Sequence, residues 1–355
     1  MRPWLSVALL AFVLTAGCKD AAKEAPPAEA DADAAPTDAP KGEPAKGNDD
    51  EAAEKEAAPA KAGDETDGKK KGGRAETVKQ AVADAEPIEG LELIPSESLL
   101  VAGVDVAALV KLPIWAELRD SLGTRQREQM RAATDCGAGP DKWRTFVIGT
   151  DPTTRGMAMV VTVEGIGKKE TLKCLEGALG FELSPDGKTM SDHTGGGIVV
   201  DDDAIAFAST GWMRLLEARI EGKGSSVAEG SLSSAIKRSD PGKTLWVAGT
   251  LPPAQRTMAA AFLGKEPQDV AGWADLAAGL KVQLSVTVDD AKGVLSSLQL
   301  QWLAFRGGLE SRGVPKGIVD SVTFSEKGGA VYVDVSATAD ETRTLTDNVR
   351  GMMGI

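Results

Sequence analysis

Side chains able to make or break bonds are scarce in this chain. Its 355 residues hold three cysteines, Cys18, Cys136 and Cys174, and one histidine, His193. An imidazole is the conventional general base near neutral pH. His193 stands in Ser191-Asp192-His193-Thr194, without a Gly-x-Ser-x-Gly elbow anywhere to offer a nucleophile, and reads as a solvated turn residue. Gly195-Gly196-Gly197 lacks the Lys-Ser/Thr of a phosphate loop and precedes a strand, so it reads as a turn. Asp201-Asp202-Asp203 has the acids to hold calcium with help from carbonyls, but three acids at a hairpin tip are more simply a solvated turn. One catalytic arrangement remains open, an envelope hydrolase with Asp192 converging on Asp201 or Asp203 in a cleft. The sequence therefore predicts a protein that is not an enzyme and has no cofactor and no metal site.

The cysteines carry more information. Residues Leu5 to Thr15 are apolar apart from Ser6 and follow Arg2, a stretch of about eleven residues against the roughly 20 of a membrane-spanning helix, so it reads as an export signal. Its end, Leu14-Thr15-Ala16-Gly17-Cys18, resembles the bacterial lipobox, in which small residues precede a cysteine that is lipidated and becomes the mature N-terminus. Thr15 departs from the leucine usual at that place; the alternative is an ordinary secretory signal with Cys18 incidental. Lipidation implies that membrane contact runs through the N-terminal lipid only, since acyl chains contribute about 0.8 kcal/mol per buried CH₂. Lys19, in place of the aspartate that retains some lipoproteins at the inner membrane, points to the outer membrane, facing the periplasm or the cell surface.

These residues need elements to place them. From Lys19 to Thr77 there is no Val, Ile, Leu, Met or aromatic residue, so the segment cannot offset its ordering entropy and reads as a disordered tether. As a flexible coil it reaches roughly 40 Å. The whole chain has 53 acidic and 40 basic side chains and a net charge of -13. That balance excludes nucleic acid as a partner and implies repulsion from anionic lipid surfaces, because both are bound by neutralising phosphate with Lys and Arg. The organisation read from these features is a signal peptide over 1–17, a lipidated cysteine and tether over 18–87, and two α+β halves over 88–222 and 223–355.

In the first half, Leu99 to Val104 reads as a buried strand, Asp105 as the cap of a short helix, and Pro113 as the start of a second helix closed by Gly123. A polar helix over 125–134 follows, then strands over 145–149 and 157–163. Leu172, Leu175 and Leu179 mark a helix ending at Gly180, and hairpins follow over Pro185-Asp186-Gly187 and Asp201-Asp202-Asp203 before a helix over 212–220. In the second half, Leu245 to Gly249 echoes Leu100 to Gly103, and a helix over 254–263 comes next. The strand over 280–288 places Leu280, Val282, Leu284, Val286 and Val288 on one face. A long helix carries Leu295, Leu298, Trp302, Phe305 and Leu309; a hairpin over 319–335 and a capping box at Thr338-Ala339-Asp340-Glu341 complete the chain. The order strand, helix, strand, helix, hairpin, helix occurs twice. It predicts an α+β fold of mostly antiparallel sheet covered by helices, in two similar halves with a groove between them.

With Cys18 taken, Cys136 and Cys174 are left in an oxidising compartment, and a disulfide between them is expected to contribute roughly 3 to 4 kcal/mol; two separate buried thiols are the alternative. Cys18 with its tether, the passage Leu99 to Leu118, Cys136-Gly137, Cys174-Leu175 and Thr244-Leu245-Trp246-Val247-Ala248-Gly249 resemble uncharacterised lipoproteins of myxobacteria and related bacteria. The resemblance implies an exported, lipid-anchored α+β domain with one disulfide, and supplies no catalytic residues. The function expected is a non-enzymatic envelope lipoprotein that binds a partner protein or envelope component. The alternative is a carrier that shelters a lipid or other apolar ligand in a cavity lined by Val282, Leu284, Val286, Trp302 and Phe305, although core packing accounts for the same stripe.

Overall fold

The computed structural model describes residues 89–192 and 195–353. The export signal, Cys18, the tether and the pair His193-Thr194 lie outside the described residues.

Twelve strands form one antiparallel sheet: β1 (Leu100–Asp105), β2 (Trp143–Asp151), β3 (Gly156–Val163), β4 (Glu182–Leu183), β5 (Thr189–Asp192), β6 (Gly195–Val199), β7 (Ala204–Ser209), β8 (Leu245–Gly249), β9 (Pro267–Asp275), β10 (Leu280–Val288), β11 (Thr323–Lys327) and β12 (Ala330–Ala337). The helices are α1 (Val106–Leu109), α2 (Pro113–Ser121), α3 (Thr124–Asp135), α4 (Lys169–Leu179), α5 (Met213–Ile220), α6 (Ser233–Arg238), α7 (Pro253–Leu263), α8 (Ala291–Ser311), α9 (Lys316–Ser321) and α10 (Ala339–Met353).

Strand order is β11-β12-β10-β9-β8-β1-β2-β3-β7-β6-β5-β4. Read outward from the centre, β1-β2-β3-β7-β6 has the same connectivity as β8-β9-β10-β12-β11, with α4 and α8 inserted at the same step. The repeated order of the sequence is thus a repeated topology. The halves meet edge to edge, through antiparallel pairing of β1 with β8, and not face to face. The groove expected between them is replaced by continuous sheet, because pairing satisfies the backbone groups of two strand edges at once.

Local sequence accounts for most boundaries. The Asp105 carboxylate accepts from the Ala108 amide at 2.8 Å and starts α1, Pro113 occupies the first turn of α2, and Gly180 ends α4 at φ 76°. In the capping box, the Thr338 amide donates to Glu341 Oε2 at 2.8 Å and the Glu341 amide donates to Thr338 Oγ1 at 3.3 Å. Gly195-Gly196-Gly197, read as a turn, instead opens β6, because β5 and β7 pair with it on both sides. Two helix boundaries also differ from expectation. Gly123, at φ −65°, precedes α3 as its N-cap, and Leu122 ends α2. Val319 belongs to α9 and not to the last hairpin: Pro315 sets the start of that helix, and Ile318 and Val319 turn into the core. Two elements, α6 and β9, have no clear apolar period in sequence.

Each face of the sheet carries core. On one, register aligns Ala271, Ala248, Val101, Gly149, Ala158 and Ala208 across six strands, all buried. Over this flat row of small residues pack Trp212, Leu216, Val227, Leu232 and Ile236 from α5, α6 and the segment between them. Gly103 opposes Trp246 in register, and a Cβ on it would lie 2.3 Å from the indole, so only glycine admits the ring. On the other face two smaller cores sit at the two ends. Leu172 and Leu175 of α4 cover Val163, Met190 and Ile205, while Val294 and Leu298 of α8 cover Val288 and Val331.

Candidate functional site

Cys136 and Cys174 are joined as a disulfide, with Cα atoms 5.5 Å apart. Cys136 closes α3 and Cys174 lies in α4, so the bridge ties the polar α3, which buries no residue of its own, to the helix that seals the core at that end of the sheet.

Of the residues considered for catalysis, His193 lies outside the described residues, and Asp201 and Asp203 have described partners. Asp203 Oδ1 accepts from the Gly165 amide at 2.7 Å and Asp201 Oδ1 from the Asp203 amide at 2.7 Å, so both carboxylates serve the turn. Among the described residues no group of three or more His, Cys, Asp or Glu side chains is placed to hold a metal ion. The one buried carboxylate, Asp151, accepts from Thr153 Oγ1 at 2.6 Å, the Thr153 amide at 2.8 Å and Thr154 Oγ1 at 2.8 Å. The Thr153 hydroxyl foremost holds it below the usual 3.8, with the other hydrogen bonds outweighing its burial. It fixes the turn after β2.

The end of the sheet opposite the disulfide carries two surfaces of different chemistry, one on each face. On the face shared with the large core, polar side chains form a line across the strands. Trp273 Nε1 donates to Gln283 Oε1 at 3.1 Å, Gln283 Nε2 donates to Asp334 Oδ1 at 2.7 Å, and Lys243 Nζ lies 5.1 Å from the centre of the Trp273 ring. An open depression beside them is bordered by Lys281, Thr323 and Ser336. Hydrated polar side chains suit a sheet face that no helix covers.

The other face is apolar and only partly covered. Of the five residues expected to line a cavity, Val286 packs against the α8 core, Trp302 lies tilted against Phe324 with centroids 6.2 Å apart, and Val282 is half-buried; Leu284 and Phe305 are exposed. The reason lies in how α8 sits. Ala291, Val294, Leu298, Trp302, Phe305 and Leu309 form a single stripe at 3, 4 spacing. Its first three residues are buried, whereas Phe305, near the far end, is 62% exposed. Trp302 and Leu309 are half-buried, so of this stripe only Phe305 is left open.

Beside it lies α7, whose residues are all at least partly exposed. Gln301 Nε2 donates to the Phe262 carbonyl at 3.3 Å, and Leu263 reaches the α8 core. The outer sides of both helices are apolar. Among the described residues the exposed large hydrophobic side chains are Met258 and Phe262 of α7, Leu284 of β10, and Leu300, Leu303 and Phe305 of α8. All of them belong to this end of the molecule. Leu300 and Leu303 escaped notice in the sequence because they fall off the 3, 4 stripe, and no rule of periodicity distinguishes an outward leucine from an inward one before the helix is docked. Among the described residues no helix is long and apolar enough to cross a membrane.

No protein-family model matches the chain, and no curated protein matches it. Crystal forms I and III of the Treponema protein TP0453 superpose on 75% of this chain and 99% of theirs, at 10% identity and a TM-score of 0.47. Crystal form IV covers 75% of this chain and 98% of its own, at 9% identity and the same score. That is a distant similarity in the course of an α+β chain.

Proposed function

We propose that this chain is a lipid-anchored, non-enzymatic binding protein of the bacterial cell envelope, held by Cys18 and a long tether, whose working surface is the apolar outside of α7 and α8. One observation carries the reading: the exposed large apolar side chains gather on these two neighbouring helices and the strand next to them. A monomer gains nothing by leaving such side chains in water, and patches of this kind mark places where something docks. The carrier reading has one observation in its favour. Leu284 on the sheet and Phe305 on the C-terminal half of α8 are both apolar and open to an apolar molecule.

The test is complementation in the native host with a chain in which Met258, Phe262, Leu300 and Leu303 are replaced by Gln. The expected result is loss of function equal to deletion, with normal amounts of lipidated, disulfide-bonded protein. Full complementation by that variant overturns the reading.

A further inference from the structure

Resting on that reading of α7 and α8 as a binding surface, we infer that its occupant is the surface of an anionic lipid bilayer, on which the two helices lie flat. The argument is one of charge. The chain as a whole is strongly acidic, at -13. Yet residues 253–265 contain Arg256 and Lys265 and no acid, and residues 291–316 contain Lys292, Arg306, Arg312 and Lys316 against Glu310 alone. Arg256 is taken by Glu266 at 3.4 Å, whereas the other five cations enter no ion pair among the described residues. The two carboxylates just before α8 are held at its start: Asp290 Oδ1 caps the helix by accepting from the Gly293 amide at 3.0 Å, and Asp289 Oδ1 accepts from Gln268 Nε2 at 2.6 Å.

Position agrees with charge. At about 100° per residue, Lys292 projects within about 20° of Leu303, and Arg306 within about 60°, so cations and outward leucines share one side of α8. Glu310 follows on the same side, one acid against the two bases Lys292 and Arg306; Arg312 lies just past the end of α8 and Lys316 starts α9. A helix with apolar residues on its outer face and long cationic side chains flanking them is suited to lie at a bilayer interface, the apolar groups among the acyl chains and the amines reaching phosphate.

The experiment uses the chain from Lys19 onward, which holds every described residue and lacks the leader and the Cys18 thiol. Its sedimentation is followed with vesicles of phosphatidylcholine alone and with about a third phosphatidylglycerol, at low and at high salt. Binding at least about tenfold stronger to the anionic vesicles and weakened by salt is expected. Leu300→Glu with Leu303→Glu, and separately Lys292→Glu with Arg306→Glu, are each expected to reduce it by about tenfold or more. All four side chains point to solvent, and an unchanged melting temperature and intact disulfide confirm that the variants fold. Absence of binding, or equal binding to both kinds of vesicle, overturns the lipid inference. Should the chain instead form dimers that Leu300→Glu dissociates, the lipid inference fails and the binding surface stands. Should these substitutions alter neither vesicle binding nor self-association, both fail.

Discussion

The orientation of α8 decides whether a binding surface exists, and two leucines two residues apart test it. Leu298 is 8% exposed and sits in the core with Val294 and Val331; Leu300 is 69% exposed. They lie about 200° apart around the helix. Leucine to alanine costs nothing in helix propensity, so the substitution reads burial alone. For Leu298→Ala, three carbons at about 0.8 kcal/mol each give roughly 2.4 kcal/mol, and the cavity left between α8 and β12 raises this to about 3 kcal/mol. For Leu300→Ala the loss is expected within about 0.5 kcal/mol of zero. Phe305→Ala is the sharper control, since Phe305 shares the stripe of Leu298 yet is 62% exposed. Its expected cost is below about 1 kcal/mol, against the 3 to 5 of a buried phenylalanine. Urea unfolding followed by far-ultraviolet circular dichroism reads all three as shifts in midpoint, and Leu298→Ala alone should lower the melting temperature by about 6 to 12 °C. Equal losses for Leu298→Ala and Leu300→Ala would refute the docking of α8 and, with it, the exposed face on which the functional reading stands.

Opening the disulfide by Cys136→Ser with Cys174→Ser should cost about 4 kcal/mol, from a sequence separation of 38 residues; a change in urea midpoint worth less than about 1 kcal/mol would show that α3 is held by packing without the bridge. Gly103→Ala should destabilise by about 1 to 3 kcal/mol, because its Cβ meets the Trp246 ring, and the near-ultraviolet dichroism of that indole should change with it. The carboxylate of Asp151, held below its ordinary value of 3.8 chiefly by the Thr153 hydroxyl, stabilises the fold above about pH 4, and that stabilisation disappears as pH falls through its lowered value. The stability gap between the native chain and Asp151→Asn should therefore be full at pH 6 and narrow as pH falls through the lowered value; a gap independent of pH would contradict the assigned hydrogen bonds.

Most elements could be read from the sequence because their signals are local. Asp105, Pro113, Gly180 and the Thr338 capping box each satisfy or terminate a helix within a few residues, and the structure uses all of them. Leu280 to Val288 spans β10 without a residue of difference, since its alternation is that of a strand with one apolar face. The strand β9 is another matter. Its sequence, Pro-Gln-Asp-Val-Ala-Gly-Trp-Ala-Asp, has no clean alternation, and it becomes a strand because β8 and β10 pair with it on both sides. Asp269 within it is balanced by an ion pair with Arg238 of α6, the other element without a sequence signal.

The sequence by itself determined the α+β class, the order of elements, their duplication and the two cysteines free to pair, because propensity, capping and hydrophobic period act between near neighbours. It also placed the cations of residues 291–316 on the same stretch as the apolar stripe. Only the tertiary structure decided that the halves share one sheet, that Cys136 meets Cys174, and that the stripe of α8 is covered at its start and open at Phe305. Such outcomes depend on contacts between residues tens to more than a hundred positions apart. A leucine in a stripe carries no mark of whether a strand lies beneath it, and the exposed surface of α7 and α8 is the residue of a docking that the local sequence does not encode.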